Sequence, residues 1–293
     1  MRNRELHFSI GAVNVSLRSD CRSFADEYLS LYAPYRCDAP RHNSIAVQIS
    51  ARHRFPWRRG PWTVQAEAAE GFEVHRRYEV LPHLEWAISW QLIRQREEYV
   101  QLHSAAMEVD GRGLLLPGDP GSGKSTLAAG LLARGWSYLC DEFALIDPTT
   151  RNVQSFPRAL CVKEPSFPVV DALGLPLHRK TPYQKPTKGR VAFLNPLDAR
   201  PDAAGRPSPV RWVVFPRYVE GATPTLKTIP RSQAAFDLAR QCFNFQVHQA
   251  GAVAVLADLI RGADCYQLTC GDIHSTCDLM ESLLLQSAAR KAG

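Results

Sequence analysis

The first part of the chain alternates between apolar and polar positions in the way that β-strands do. Leu6–Ile10 and Val13–Leu17 both have a period of two, and the Gly-Ala pair between them predicts a hairpin. The same alternation predicts strands at Asn43–Ser50 and Trp62–Ala66, whereas Cys21–Tyr32 has the spacing of a helix. A strand-rich α+β domain is therefore expected at the N-terminus.

A helical period replaces this alternation between Leu81 and Glu97, where leucine and isoleucine residues form one apolar face. Trp86 and Trp90 lie four residues apart on this helix. Since tryptophan more often fills a core than lines a ligand cage, both are predicted to be core anchors. The helix leads into a second region, so we expect domains at 1–95 and 96–293.

The second region opens with a βαβ pattern. The predicted order is a strand at Tyr99–Ala106, a strand at Gly113–Pro117, a helix at Lys124–Arg134 and a strand at Trp136–Cys140. The crossover through the helix predicts that the two strands flanking it form a parallel pair. Further along, the predicted elements are loops and short strands at 148–209, a buried strand at 210–215, helices in 233–260, a strand at 266–269 and a helix at 273–290.

Composition and charge exclude several classes of protein. Apolar residues make up 45% and charged residues 22% of the 293 residues, which is typical of a folded globular chain. The net charge of +6 fits an anionic small ligand and is far from the polybasic composition of a nucleic-acid-binding tail. No apolar run approaches the ~20 residues of a membrane span, and the N-terminus has no signal-peptide pattern.

The eight cysteines are scattered and form no C-x-x-C pair. This usage indicates reduced, mostly buried thiols, and with the absence of a leader it leads us to expect a cytoplasmic protein. Cys265, Cys270, His274 and Cys277 lie close in sequence, but their spacing matches no common zinc module. Ordinary core cysteines are the favoured interpretation.

One motif carries strong chemical information. Gly118 to Ser125 reads GDPGSGKS, which matches G-x-x-x-x-G-K-[ST] and lies between an apolar strand and a helix. Glycines allow backbone amides to turn inward around phosphate oxygens, and the first turn of the helix adds unsatisfied donors. Lys124 is expected to reach the β- and γ-phosphates and Ser125 to ligate Mg²⁺. The predicted nucleotide-binding residues are Gly118, Asp119, Pro120, Gly121, Ser122, Gly123, Lys124, Ser125 and Thr126.

Two adjacent acids follow the next strand. Asp141 and Glu142 lie at its carboxyl end, where strands of an open α/β sheet converge on the ligand. One acid is expected to accept or orient a substrate hydroxyl proton and the other to hold the metal. Acids on the strand directly after the loop helix favour a kinase over motor and transporter ATPases, and there is no N-K-x-D motif of GTPases.

Four blocks support a family resemblance: His103–Ala106, Gly111–Gly118, Gly121–Leu127, and Gly135–Trp136 with Asp141–Phe143. Together they resemble the HPr kinase/phosphorylase family, and most closely its HPr-kinase-related A branch. The resemblance is tight from about Tyr99 to Lys163 and loose elsewhere. It implies an α/β P-loop kinase core related to phosphoenolpyruvate carboxykinase, which uses ATP and Mg²⁺ to phosphorylate a serine of a protein or peptide.

The resemblance also implies roles for individual residues. It assigns the acid/base role to Asp141, a metal role to Glu142 beside Ser125, and a place near the phosphates to His103. A hydrogen-bonded core histidine is the alternative for His103. Arg158 and Lys163 match a block that binds phosphate or substrate, with surface solvation as the alternative.

The chain departs from the family in lacking an E-[IV]-R-G-x-G signature after the phosphate loop. The phosphorylase activity, HPr as the substrate and the hexamer are therefore not carried over. The resemblance implies a protein or peptide substrate, for which a genetically linked modified peptide is one candidate, and a homo-oligomer is left open. The rival interpretations are a kinase for a small metabolite and a nucleotide-sensing module without phosphoryl transfer.

Overall fold

The structure is a computed structural model that describes residues 4–55, 58–66, 71–186 and 189–292. The first elements in chain order are β1 (Arg4–Ile10), β2 (Val13–Ser19), α1 (Arg22–Tyr32), β3 (Arg36–Cys37), β4 (Ser44–Phe55), β5 (Arg58–Ala66), β6 (Phe72–Val74) and α2 (Arg77–Gln95). They are followed by β7 (Val100–Leu102), β8 (Ser104–Val109), β9 (Arg112–Pro117), α3 (Lys124–Ala133), β10 (Ser137–Cys140), β11 (Ala144–Ile146) and β12 (Asn152–Val153). The remaining elements are β13 (Leu160–Lys163), α4 (Phe167–Ala172), β14 (Gln184–Lys185), β15 (Gly189–Leu194), α5 (Pro196–Ala199), β16 (Ser208–Tyr218), β17 (Thr225–Thr228), α6 (Arg231–Arg240), α7 (Phe245–His248), α8 (Ala250–Gly262), β18 (Asp264–Cys270) and α9 (Ile273–Ala292).

The chain divides into two compact units. Unit 1 comprises residues 1–96, 161–167 and 177–195, and unit 2 comprises residues 97–160, 168–176 and 196–293. The first crossing, after Arg96, lies next to the boundary expected from the sequence. The segments 161–167 and 177–195 were expected in the second domain but cluster with unit 1. Side-chain bonds hold the second of these segments there, since Asn195 Nδ2 donates to Leu31 O at 2.6 Å and Tyr183 OH donates to Glu27 Oε1 at 2.6 Å.

Unit 1 is built on a six-stranded sheet with the order β3-β1-β2-β4-β5-β6. The predicted hairpin is confirmed, because β1 and β2 pair in antiparallel register from Arg4–Ser19 to Ile10–Val13. The apolar positions of both strands are buried under α1, where the Tyr28 ring makes an edge contact with Phe8 at 5.1 Å. The alternation seen in the sequence thus marks the buried side of this sheet.

The prediction that Trp86 and Trp90 anchor the core is wrong. Their exposed fractions are 47% and 50%, whereas Leu84 and Ile88 of the same helix are buried. Because an α-helix turns by about 100° per residue, positions two apart lie on nearly opposite faces. The two tryptophans therefore face outward, and the Trp86 ring stacks on Phe72 at 4.8 Å.

Unit 2 is built on a nine-stranded mixed sheet whose main order is β10-β8-β9-β16-β12-β11-β7, with β18 paired to β16 and β17. The α/β class predicted from the sequence is confirmed. The predicted parallel pair is wrong in its neighbours, because β8 lies between β9 and β10 and is antiparallel to both. The parallel neighbour of β9 is β16, which is also parallel to β18.

The predicted strand over 99–106 is two strands, β7 and β8, interrupted at His103. They pair with different neighbours, because β7 is antiparallel to β11 whereas β8 lies between β9 and β10. At the interruption, the His103 amide donates to Gln241 O at 2.7 Å and the Gly118 amide donates to His103 O at 3.5 Å. The main chain of His103 therefore leaves the ladder to contact the phosphate loop.

Close packing between α3 and α9 holds the helix that follows the phosphate loop. A Cβ added at Gly130 would lie 2.7 Å from Ile273 Cδ1 and 2.9 Å from Cys277 Sγ, so these side chains would have to shift to admit an alanine. Buried Cys277 serves here as an apolar core side chain. No helix among the described residues has the length and apolar character needed to cross a membrane.

Candidate active site

The predicted phosphate loop connects β9 to α3 and is fastened to the end of β16. The Ser122 amide donates to Asp119 O at 3.2 Å, and Ser122 O accepts from the Tyr218 amide at 3.1 Å. Gly123 precedes the helix with φ +97°, and an added Cβ would lie 3.4 Å from Tyr218 Cβ. The backbone conformation thus favours glycine at the point where the loop becomes a helix, although a Cβ would make only an ordinary contact.

Helix α3 begins at Lys124, at the end of this loop. The first α-helical bond from Gly123 O is donated by the Leu127 amide at 2.9 Å, so the preceding amides of the first turn have no α-helical acceptor. Such amides, together with the helix dipole, favour an anion at this end of the helix. The arrangement suits a phosphate group.

Lys124 is buried, with an exposed fraction of 6%, and its ammonium group is directed back over the loop. Its Nζ donates to Gly118 O at 2.5 Å and to Asp119 O at 3.0 Å. Two loop carbonyls therefore hold the positive charge at the phosphate loop, where the motif requires it.

Ser125 and Asp141 are joined directly. Ser125 Oγ donates to Asp141 Oδ2 at 2.9 Å, which links the first turn of α3 to the carboxyl end of β10. The two residues lie 16 positions apart in the sequence. The strand and the helix of the βαβ pattern thus converge on one hydroxyl and one carboxylate.

Asp141 is almost completely buried, with an exposed fraction of 2%. Its second oxygen, Oδ1, is buried and has no hydrogen-bond partner among the described residues. Burial raises the pKa of this carboxyl, and the nearby charge of Glu142 raises it further. The Ser125 hydrogen bond and the charges of Lys124 and Arg158 oppose this increase in pKa. A carboxylate with a raised pKa is a better proton acceptor.

Glu142 has an unusual backbone conformation for a residue that is not glycine, with φ +70°. It follows Asp141 at the point where the chain leaves β10 for β11. Such a conformation costs about 1–3 kcal/mol and is concentrated at functional sites. Ser125 and Glu142 were predicted to hold the metal together. The Ser125 hydroxyl, however, donates its hydrogen bond to Asp141, the predicted base.

His103 lies beside the phosphate loop, as the resemblance implied, and it is also hydrogen-bonded. Its Nδ1 lies 3.2 Å from Gln241 Oε1, and Gln241 Nε2 donates to Asp119 Oδ1 at 3.1 Å. The ring also lies 5.5 Å from the ring of Phe243, which in turn stacks on Phe143 at 5.0 Å. Hydrogen bonds and ring contacts thus join His103 to the phosphate loop on one side and to Phe143, which follows the acidic pair, on the other.

The two residues predicted to contact substrate are in different units. Arg158 is buried in unit 2, with an exposed fraction of 3%, and its guanidinium carbon lies 5.9 Å from the centre of the Phe143 ring. Surface solvation is therefore wrong for Arg158. Lys163 ends β13 in unit 1 and is half-buried.

Sequence reasoning missed Gln241 and Phe243. Both follow α6, more than 100 residues after the phosphate motif, and neither belongs to a recognisable pattern. Only the path of the chain brings them to His103: the Phe243 amide donates to Gln101 O at 2.8 Å, two residues before the histidine.

Part of the chain is similar in sequence to curated bacterial proteins. The chain is 35% identical over 107 residues to an HPr kinase/phosphorylase from Xanthomonas oryzae pv. oryzae, which covers 36% of this chain and 33% of the relative. An HPr kinase/phosphorylase from Xanthomonas campestris pv. campestris is 42% identical over 76 residues, or 25% of this chain and 23% of the relative. Over the matched part, this chain is related to the HPr kinase/phosphorylases. The chain spans a third or less of the length of these curated relatives.

The chain was also compared with protein-family models and with solved structures. No protein-family model matches the chain. The Hpr(Ser) kinase/phosphatase from Coxiella burnetii is similar over 66% of this chain and 99% of that chain, at 13% identity and a TM-score of 0.33. A TM-score this low carries no argument about the fold.

The residues of the site fit a magnesium ion bound with a nucleotide. Mg²⁺ prefers oxygen ligands and is held by one or two carboxylates or hydroxyls together with substrate phosphates. The Ser125 hydroxyl is such an oxygen, and it lies 2.9 Å from Asp141 Oδ2, whose residue is followed directly by the Glu142 carboxylate. The oxygens next to the phosphate loop therefore fit such a cation.

Proposed function

We propose that this protein is an ATP- and Mg²⁺-dependent kinase that transfers the γ-phosphoryl group to a serine hydroxyl of a protein or peptide. The observation that carries the proposal is the hydrogen bond of 2.9 Å from Ser125 to the buried Asp141, next to the loop that holds Lys124. A phosphate loop alone is compatible with nucleotide binding of any kind. A buried acid with a raised pKa at the same place supports proton abstraction from an attacking hydroxyl.

In the proposed mechanism the loop amides and Lys124 bind the β- and γ-phosphates and stabilise the charge that develops during transfer. Ser125 and Glu142 would hold Mg²⁺, which when bound neutralises phosphate charge. Asp141 orients the serine hydroxyl and accepts its proton. His103 lies within the same cluster and is proposed to exchange a proton with the reacting groups.

The proposed substrate class rests on the relatives rather than on the geometry. The related bacterial proteins are named HPr kinase/phosphorylases, a name that describes transfer to a protein. Because this chain lacks their E-[IV]-R-G-x-G signature, we propose a different protein or peptide, such as a genetically linked modified peptide.

The proposal is tested by incubating the full chain with γ-labelled ATP, Mg²⁺ and candidate peptides, proteins and small hydroxyl metabolites. Label on a peptide or protein serine is the expected result. Lys124→Ala should abolish transfer, while Asp141→Asn should lower it by about 10²–10⁴-fold and leave ATP binding largely intact. Lys227→Ala, at an exposed lysine of β17, is the matched control and should transfer normally.

Three results would contradict this proposal. Label found only on a metabolite would indicate a metabolite kinase. ATP binding without transfer to any acceptor would indicate a nucleotide-sensing module. Undiminished transfer by Asp141→Asn would reject the role of Asp141 as the base.

A further inference from the structure

Gln241 connects three parts of the site in unit 2. It follows α6, and its main-chain oxygen accepts from the His103 amide at 2.7 Å. Its side chain lies between the His103 ring and the phosphate loop, with contacts of 3.2 Å to His103 Nδ1 and 3.1 Å to Asp119 Oδ1. One amide side chain thus contacts both His103, the proposed proton carrier, and Asp119 of the phosphate loop.

The chemistry of these contacts fixes which atom carries a hydrogen. An ionised Asp119 only accepts hydrogen bonds, so the Gln241 amide nitrogen must face it and the amide oxygen must face His103. The oxygen only accepts, so His103 Nδ1 must be the donor. In the neutral ring the hydrogen is then on Nδ1, and Nε2 is the basic nitrogen.

We propose that Gln241 is a positioning residue that holds His103 in the Nδ1–H tautomer and couples that tautomer to the phosphate loop through Asp119. This inference rests on the proposed kinase function, which it deepens. With Nε2 as the basic nitrogen, His103 exchanges a proton at that atom, and its ring orientation depends on the same amide that contacts the loop. A change at Asp119 is thereby transmitted to the histidine.

The first test measures the tautomer and does not depend on catalysis. In the full chain labelled with ¹⁵N-histidine, the nitrogen chemical shifts of His103 should report hydrogen on Nδ1, with the signal identified by its loss in His103→Gln. Gln241→Met removes both polar contacts and should move hydrogen to Nε2. Gln241→Glu keeps an oxygen opposite Nδ1, so it should retain the wild-type tautomer while losing the donor to Asp119.

The control and the kinetic test both replace a glutamine by methionine, at different positions. Gln233→Met removes an exposed glutamine of α6 that pairs with Asp237 at 2.8 Å, and it should change neither the tautomer nor the transfer rate. Gln241→Met should lower the transfer rate by roughly 10²-fold, because His103 is no longer oriented for proton exchange. ATP affinity should change little, because the phosphate loop itself is unaltered. Gln241→Glu should recover part of this rate.

The proposal and the kinase function fail in different ways. Hydrogen on Nε2 in the wild-type chain, or an unchanged tautomer in Gln241→Met, would overturn the role of Gln241 even if the protein is a kinase. A shifted tautomer with a normal transfer rate would overturn the role as well. If the wild-type chain transfers phosphate to no hydroxyl, the kinase function fails, and the tautomer measurements still decide what Gln241 does to His103.

Discussion

Asp141 combines two properties that usually oppose each other in a folded protein. It is buried, which favours the protonated carboxyl, and it lies near Lys124 and Arg158, which favour the carboxylate. Burial and the adjacent Glu142 dominate, so the pKa of Asp141 is raised above its ordinary value. Ionising such a buried acid costs free energy. Groups with pKa values perturbed in this way are concentrated at functional sites.

This cost predicts how stability depends on pH. Between the unfolded pKa of about 3.8 and the higher folded pKa, the native state binds more protons than the unfolded state, so its stability falls as pH rises. Asp141→Asn removes this ionisation. The variant should therefore gain free energy of unfolding relative to wild type at neutral pH and lose that advantage towards pH 4.

Denaturant unfolding of both proteins at several pH values measures this difference. Asp38→Asn, at an exposed aspartate of unit 1, is the control and should show no such change. A constant difference between wild type and Asp141→Asn from pH 4 to pH 7 would contradict a raised pKa.

At the scale of elements, the site depends on the loop between β9 and α3 and on the interruption between β7 and β8. The loop was predictable, because its glycines, lysine and serine lie together in the sequence and act through local backbone geometry. The interruption was not predictable, because residues 99–106 keep a strand-like composition through His103. What ends β7 is a hydrogen bond to Gln241, 138 positions away, and no local pattern encodes such a partner.

Gly123 provides a prediction for the loop. Gly123→Ala should destabilise unit 2 by about 1–2 kcal/mol, since alanine disfavours the positive φ, and it should also abolish nucleotide binding. Gly111→Ala is the matched control, because Gly111 has φ +72° in the turn between β8 and β9, with no atom within 4 Å of an added Cβ. It should cost similar stability and leave nucleotide affinity unchanged.

Denaturant unfolding and calorimetric titration with an ATP analogue measure these two quantities. Equal loss of nucleotide affinity in both variants would show that destabilisation alone explains the effect. Retained affinity in Gly123→Ala would remove the loop from the binding site.

At the scale of the whole molecule, the hydrophobic periodicity of the sequence does not predict the order of the strands or the boundaries of the units. The crossover from β9 through α3 to β10 was recognisable, but the position of β8 between the two strands depends on its own hairpin with β9. Similarly, 177–195 is poor in local pattern, and its place in unit 1 depends on long-range bonds from Tyr183 and Asn195 to α1. Period and composition carry information about a neighbourhood, whereas these features depend on distant pairing.

Because the phosphate loop lies within unit 2, a bound nucleotide should stabilise that unit. At a concentration of 100 times Kd, a non-hydrolysable ATP analogue with Mg²⁺ should raise the free energy of unfolding of unit 2 by about 2.7 kcal/mol. Hydrogen exchange of amides in α3 and β10 measures the increase. Lys124→Ala should show none, and Lys227→Ala should respond as wild type does. Equal protection in Lys124→Ala would place the nucleotide elsewhere.

The outward-facing tryptophans of α2 make the two units distinguishable by their emission. Trp86 and Trp90 in unit 1 are about half exposed, whereas Trp136 and Trp212 in unit 2 are buried and lie 6.2 Å apart. An aqueous quencher such as iodide should reach the first pair and spare the second. The unlabelled chain therefore carries a separate optical reporter for each unit, through which the unfolding of each can be followed.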